Sequence, residues 1–248
     1  MIQNIFKAIK AYFGAFQLIS KLKLWNYFII PILISVLTAI TIGSLSYFLS
    51  DNIGHYISTL WKWELGKKTF EIVSTFLSGL LIIVIGLVLY KHIVMALSAP
   101  FMSPVSEKIE EHFKGKIHDH RKTSFQEQLV RGIRINVRNL LRELFFTIPI
   151  LLLSFIPFIG IFSTVLLFFM QAYYAGFGNM DYTLERHFKY KDSIIFVKNN
   201  KGLAIGNGIV FMLFLLIPFI GVLLVLPLSV TAATTETIKK IKLKEVTE

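Results

Sequence analysis

Ile156-Pro157-Phe158-Ile159-Gly160 recurs residue for residue as Ile217-Pro218-Phe219-Ile220-Gly221, each time in the middle of a long apolar run. A transmembrane helix needs roughly 20 apolar residues to cross a ~30 Å hydrocarbon core. The first run starts at Leu144 and is broken at Pro157, after about 13 residues that reach only ~20 Å at ~1.5 Å each. The second, Leu203 to Leu216, meets Pro218 and Gly221 in the same way. Proline removes a backbone donor and clashes with the preceding turn; glycine lets the backbone reverse. The pattern predicts two helical hairpins, 144–178 and 203–235, that enter a membrane and turn back inside it at Pro157, Gly160, Pro218 and Gly221. Broken helices survive at membrane depth where protein or a water-filled cavity covers the freed backbone groups. A doubled broken helix also points to a transport site.

Composition agrees. Of 248 residues 54% are hydrophobic and 17% charged, against about 25% charged in a soluble domain. The absence of cysteine excludes disulfides and thiolate metal sites. Residues 1–26 do not read as a signal peptide, having lysines but no compact apolar core followed by small residues. Two uninterrupted spans precede the hairpins, at 27–50 and 70–91. Pro31 falls in the first turns of the former, where proline is tolerated. Trp61 and Trp63 flank Lys62 in the connection, as interfacial anchors do.

Charge sets an expected orientation. Residues 1–26 carry Lys7, Lys10, Lys21 and Lys23 and no acid, while 51–71 balance three bases with three acids. The segments 91–143, 179–202 and the tail from Glu236 carry 19 bases and 12 acids. The positive-inside rule then places both termini and the large polar segments in the cytoplasm and 51–71 outside. Two spans plus two re-entrant hairpins satisfy this, as would six full spans. The apolar flanks of both Ile-Pro-Phe-Ile-Gly turns favour buried turns.

Residues 102–143 read as cytoplasmic helices. Ser103 with Pro104 forms a start signal and Gly115 a break. A second helix starts near Thr123, with Gln126 three residues on as a capping-box partner. It carries an apolar row, Phe125, Leu129, Ile133, Val137 and Leu140, and a basic row, Arg131, Arg134, Arg138 and Arg142. The basic row faces either anionic headgroups or a vestibule that concentrates an anion. Residues 1–26 form an interfacial amphipathic helix, with Ile2, Ile5, Phe6, Ile9, Phe13, Phe16 and Ile19 on one face. Gly14, Gly206 and Gly208 serve close packing. His112, His118, Asp119 and His120 are solvated loop residues rather than metal ligands. No Gly-x-x-x-x-Gly-Lys-Ser/Thr run is present. No Asp, Glu or Lys lies well inside an apolar run, which argues against a proton relay or carboxylate cation site but leaves an anion path open.

Leu97-Ser98-Ala99-Pro100-Phe101 followed by Glu107-Lys108, Phe155-Ile156-Pro157 with Ile159-Gly160, Asp181-Tyr182 with His187, and Ile217-Pro218 with Pro227, Ala232, Ala233 and Thr234 stand in a telling order. In that order and spacing, over nearly the whole chain, they resemble the CysZ sulfate permeases and the wider etoposide-induced-protein-like superfamily. The resemblance implies two long spans, two hemi-penetrating hairpins, oligomeric assembly and sulfate entry for cysteine synthesis. The family's sulfate-binding Gly-Leu/Ile-Arg-Arg stretch corresponds here to Lys23-Leu24-Trp25-Asn26, without either arginine. Thr183 replaces the proline of the family's Asp-Tyr-Pro segment, and Glu185-Arg186 replace its following Asp-Asn.

The reading is therefore an all-α integral membrane protein of one domain, 1–248, in the inner (plasma) membrane with cytoplasmic termini. It is a homo-oligomeric permease or channel for sulfate or a similar oxyanion, or alternatively a non-transport scaffold or lipid-organising protein. Expected substrate contacts are Lys21, Lys23, Trp25 and Asn26, with Arg131, Arg134 and Arg138 at the entry. No enzyme activity, cofactor, metal or nucleic acid is expected.

Overall fold

Regular structure in the described residues is entirely helical. The computed structural model describes residues 1–59, 66–115, 121, 123–153, 159–217 and 220–247. The elements are α1 (Ile2–Lys21), a 3-10 turn (Trp25–Phe28), α2 (Ile29–Ser58), α3 (Lys67–Lys114), α4 (Phe125–Leu153), α5 (Ile159–His187), α6 (Tyr190–Asn199), α7 (Lys201–Leu215) and α8 (Ile220–Thr247). Three stretches are long and apolar enough to cross a membrane: Trp25–Leu49, Ile85–Lys114 and Ile159–His187. α5 runs 29 residues without a break to His187, past the end of the predicted first hairpin at 178. α7 has 15 residues, about 22 Å at 1.5 Å each, short of a crossing.

Several local expectations are corrected. Ser103 and Pro104 do not start a helix: α3 runs through Pro100 and Pro104 to Lys114 and stops, as expected, at Gly115 with φ 89°. α3 packs against α2, α4 and α5, and the Ala96 carbonyl that Pro100 leaves without its helical donor faces Gly132 of α4 inside the bundle. α4 begins at Phe125. Ser124 Oγ, not Thr123, accepts the Glu127 N–H at 3.3 Å, and it is Gln128 that donates to Thr123 Oγ1 at 2.9 Å. Pro157, Phe158, Pro218 and Phe219 lie outside the described residues, as do Trp61, Trp63, His118, Asp119 and His120. Gly160 and Gly221 are helical, so neither uses the left-handed backbone expected of it. What Gly221 supplies is proximity, since a Cβ there would lie 2.0 Å from the Phe214 carbonyl oxygen.

Small residues set the helix spacing. A Cβ at Gly208 would sit 1.7 Å from the Ala172 carbonyl oxygen, and one at Gly176 1.8 Å from that of Ala204, so α5 and α7 touch backbone to backbone. Gly202 and Gly206 give α7 the same closeness to the Met1 and Ile5 carbonyls of α1, and Gly132 of α4 presses on Ala96 and Ala99 of α3. Such contacts stand in for the hydrophobic effect, which gives helices no drive to associate in lipid. Gly14 does not belong with them: a Cβ there would meet nothing within 4 Å.

The amphipathic helices are turned outward. α1 docks on α7 and α8 through Ala8, Ala15 and Ile19. Of the face predicted to lie on the membrane, Phe6, Phe13 and Phe16 stay 66%, 83% and 54% exposed, whereas Ile19 is buried against the bundle. On α4 the apolar residues Phe125, Ile133 and Val137 are exposed, while Gly132, Asn136, Asn139 and Glu143 point inward. α4 is not one of the described stretches long and apolar enough to cross a membrane; an apolar face turned outward with polar groups turned to the bundle interior fits the membrane surface.

Candidate functional site

α3, α4 and α5 enclose a buried seam of polar and charged side chains. At one end Glu143 of α4 is fully buried and holds two groups of α3. Lys91 Nζ donates to its Oε1 at 2.7 Å, and His92 Nε2 lies 2.9 Å from its Oε2. His92 Nδ1 faces Asn136 Oδ1 at 3.4 Å, and Asn136 Nδ2 donates to the Gly132 carbonyl at 2.9 Å. By sequence Lys91 and Glu143 only border apolar runs. Folding places both out of reach of solvent, although neither lies inside an apolar run.

Midway, Arg131 of α4 grips Asp181 of α5 with two parallel bonds, Nε to Oδ2 at 3.0 Å and Nη2 to Oδ1 at 2.9 Å. Its Nη1 also donates to the Phe188 carbonyl at 2.7 Å. Burial opposes the charge, but Asp181 outweighs it and the guanidinium pKa is raised. Glu185, one turn along α5 from Asp181, is buried, and its Oε1 has no hydrogen-bond partner among the described residues.

At the far end Glu110 of α3 is fully buried. Arg186 Nη2 donates to its Oε2 at 3.0 Å. His187 Nε2 lies 2.8 Å from Oε1 but off the hydrogen-bonding direction, so that contact is electrostatic. Arg186 Nη1 also reaches Ser106 Oγ at 2.6 Å and the Ser103 carbonyl at 3.2 Å. Tyr182 Oη donates to the Met95 carbonyl at 2.7 Å. From Lys91 to Glu110 the seam covers about 28 Å along α3. A second polar set joins α1, α5, α7 and α8. Asn179 Nδ2 donates to Asn207 Oδ1 at 2.8 Å, Asn207 Nδ2 to the Ser229 carbonyl at 2.9 Å, and Tyr12 Oη to the Asn207 carbonyl at 2.8 Å.

A family model described as "Sulfate transporter CysZ/Etoposide-induced protein 2.4" matches residues 11–226. The chain belongs to that family. Among relatives named sulfate transporter CysZ, the protein of Vibrio parahaemolyticus serotype O3:K6 is 30% identical over 149 residues, 59% of this chain and 60% of its own. That of Pseudomonas paraeruginosa is 27% identical over 228 residues, 88% of this chain and 89% of its own. The aligned part thus spans less than two thirds of the Vibrio relative and nearly all of the Pseudomonas one.

The CysZ-like segments find physical roles. Asp181, Tyr182 and His187 each pin the end of α5 to another helix, by ion pair, hydrogen bond and electrostatic contact respectively. Thr183, standing where the family segment has proline, bonds Thr234 of α8 at 3.0 Å. Asp181 and His187 are therefore engaged with different partners, and no cluster that could hold a metal occurs among the described residues.

The predicted substrate residues sit apart from the seam, where α1 turns into α2. Leu24 N–H bonds the Ile19 carbonyl at 2.9 Å and Lys23 N–H that of Ser20 at 3.2 Å. This is a Schellman cap, with Lys23 at the left-handed position, φ 53°. Ile19 and Leu24 are both fully buried and complete its hydrophobic contact. Lys21, Lys23 and Asn26 are exposed, and the Trp25 indole donates to Ser20 Oγ at 3.2 Å. A cleft of about 240 Å³ lined by Leu22, Lys108, Glu111 and His112 adjoins them. The glycine that the family resemblance places at Lys23 has a physical reason, because L residues resist this backbone by roughly 1–2 kcal/mol. Lys23→Gly should accordingly raise stability by about 1 kcal/mol. Thermal unfolding of purified protein checks this; an unchanged midpoint would mean that no strain resides there.

The predicted arginine row is divided by the fold. Arg131 is buried in its ion pair, Arg134 lies over the Tyr190 ring at 4.1 Å, and Arg138 lies 5.3 Å from the Phe177 centroid. Burial, then the nearby charge of Arg142, lowers the Arg138 pKa. Sequence reasoning missed Lys91, His92, Asn136 and Glu143. The available signal was the spacing of Gly132, Asn136, Asn139 and Glu143, small and polar residues on one helical stripe.

Proposed function

We propose that the protein is a membrane permease or channel for a small oxyanion, sulfate above others, supplying sulfur for cysteine synthesis. The observation that carries the reading is the match of residues 11–226 to the sulfate-transporter family model. The buried seam begins at Lys91, where the second proposed span ends, and its charges are matched in pairs. Membership of the CysZ family and relatives named sulfate transporters support the same substrate. The fixed ion pairs hold α3, α4 and α5 as a frame. The oxyanion enters at Lys21, Lys23, Trp25 and Asn26, drawn there by exposed positive charge including Arg134.

The proposed topology has two spans, at 27–50 and 70–91, and two re-entrant hairpins, 144–178 and 203–235, with cytoplasmic termini in a homo-oligomer. The 15-residue α7 supports a half-crossing for the second hairpin. For the first, the length of α5 also permits a full crossing.

Purified protein in liposomes tests the reading through uptake of labelled sulfate, thiosulfate, phosphate and chloride. Sulfate flux should appear without an energy source. Lys21→Gln with Lys23→Gln should lower it at least several-fold, because the anion loses its counter-charges at the entry. Arg134→Gln should lower it mainly at low ionic strength, since a steering field is screened beyond ~8–10 Å at ordinary salt. Full flux in the lysine double variant would remove the site assignment, and absence of flux for every anion would replace transport by the scaffold reading.

A further inference from the structure

A cleft of about 580 Å³ opens between α1 and α8, with Phe113 of α3 and Leu203 of α7 also in its lining. Lys7 and Lys10 stand on the α1 side, Lys239 and Lys240 on the α8 side. Glu236 is the one acid among the described lining residues, and its Oε1 already accepts from Lys239 Nζ at 2.6 Å. Four ammonium groups therefore face one carboxylate, and Lys7, Lys10 and Lys240 have no carboxylate partner among the described residues. The floor is apolar, made by Ala11, Gly14, Leu18 and Leu203. The space over Gly14 is open, as a Cβ there would touch nothing within 4 Å.

We infer that this cleft is a binding site for an anionic phospholipid, its phosphate between the lysines and its acyl chains along the apolar floor. A small hydrated anion would gain nothing from the floor, and a neutral lipid nothing from the lysines. The position suits a lipid. The aromatic face of the same helix, Phe6, Phe13 and Phe16, is exposed and fits the acyl boundary of a bilayer, which would set Lys7 and Lys10 at headgroup level. The bound lipid ties α1 to α8, so it stabilises the docking of α1 on the bundle. The cleft shares no residue with the proposed oxyanion entry or with the buried seam, and the inference does not rest on the transport reading.

The test uses the full chain in a neutral detergent, titrated with dioctanoyl phosphatidylglycerol, dioctanoyl phosphatidylcholine or inorganic phosphate, and followed by thermal unfolding. Phosphatidylglycerol should raise the midpoint saturably; the choline lipid and phosphate at equal concentration should not. Lys7→Gln and Lys240→Gln should each weaken the apparent affinity about fivefold, the worth of one basic residue at an anionic surface. Gly14→Trp should abolish the effect by filling the cleft while leaving every lysine in place. Equal stabilisation by both lipids, undiminished binding in the lysine variants, or a full effect of phosphatidylglycerol on Gly14→Trp would overturn the site. Competition by phosphate at the lipid's own concentration would overturn the lipid in favour of a free anion.

Discussion

Replacing Glu143 by alanine is expected to destabilise the protein by about 3–5 kcal/mol, the cost of leaving buried charge unpaired. One carboxylate serves two groups here: Lys91 Nζ at 2.7 Å and His92 Nε2 at 2.9 Å. Alanine strands both in a site closed to solvent. Lys91→Met should be milder, because Glu143 keeps His92 and the methionine fills the volume of the lysine stem. The double variant Lys91→Met/Glu143→Leu should recover much of the loss, since it removes the lysine charge with the carboxylate and leaves only His92, which keeps Asn136. Reversible unfolding in mixed micelles measures all three. A cost for Glu143→Ala below about 1 kcal/mol, or a double variant no better than the single, would show that the pair is not the keystone of the seam.

Gly208→Ala is expected to be as damaging, though it adds one methyl group. The new Cβ would lie 1.7 Å from the Ala172 carbonyl oxygen and 2.7 Å from its Cα, rigid backbone that cannot rotate away. α5 and α7 must part, at about 1–3 kcal/mol for overpacking. Parting also strains the Asn179–Asn207 and Asn207–Ser229 bonds of 2.8 and 2.9 Å on the neighbouring turn. Each buried polar group left unmatched adds about 1–3 kcal/mol. The same change at Gly14 should be neutral or stabilising by up to about 1 kcal/mol, since nothing lies within 4 Å and alanine is the better helix former. Comparing the unfolding midpoints of the two variants tests the assignment directly. Equal effects would mean that the α5–α7 approach is looser than the distances indicate.

The two predictions concern residues of opposite legibility. Gly206 and Gly208, set in an apolar run, read as close-packing positions from sequence, because small residues at such places have few other uses in lipid. Glu143 did not read as buried. It follows Arg142, the last of four regularly spaced arginines, and that row reads as facing anionic headgroups or an anion vestibule. Arg131 shows the same limit: its place in the row is visible in the sequence, but Asp181, 50 positions away, decides that it is buried and paired.

By itself the sequence determined the helical membrane class, the family and the stops at Gly115 and near Lys21. Each of these follows from composition or from local backbone chemistry: long runs free of charge, an ordered set of motifs, and cap residues. Only the tertiary structure decided which face of α1 and α4 turns inward, that α3 passes through Pro100 and Pro104, and which carboxylate answers which base. The reason is that helical spacing shows where residues share a face and leaves open what that face meets. In water the apolar face must be the hidden one. At a membrane surface the apolar face can stay outward, and contacts between helices distant in sequence settle the matter.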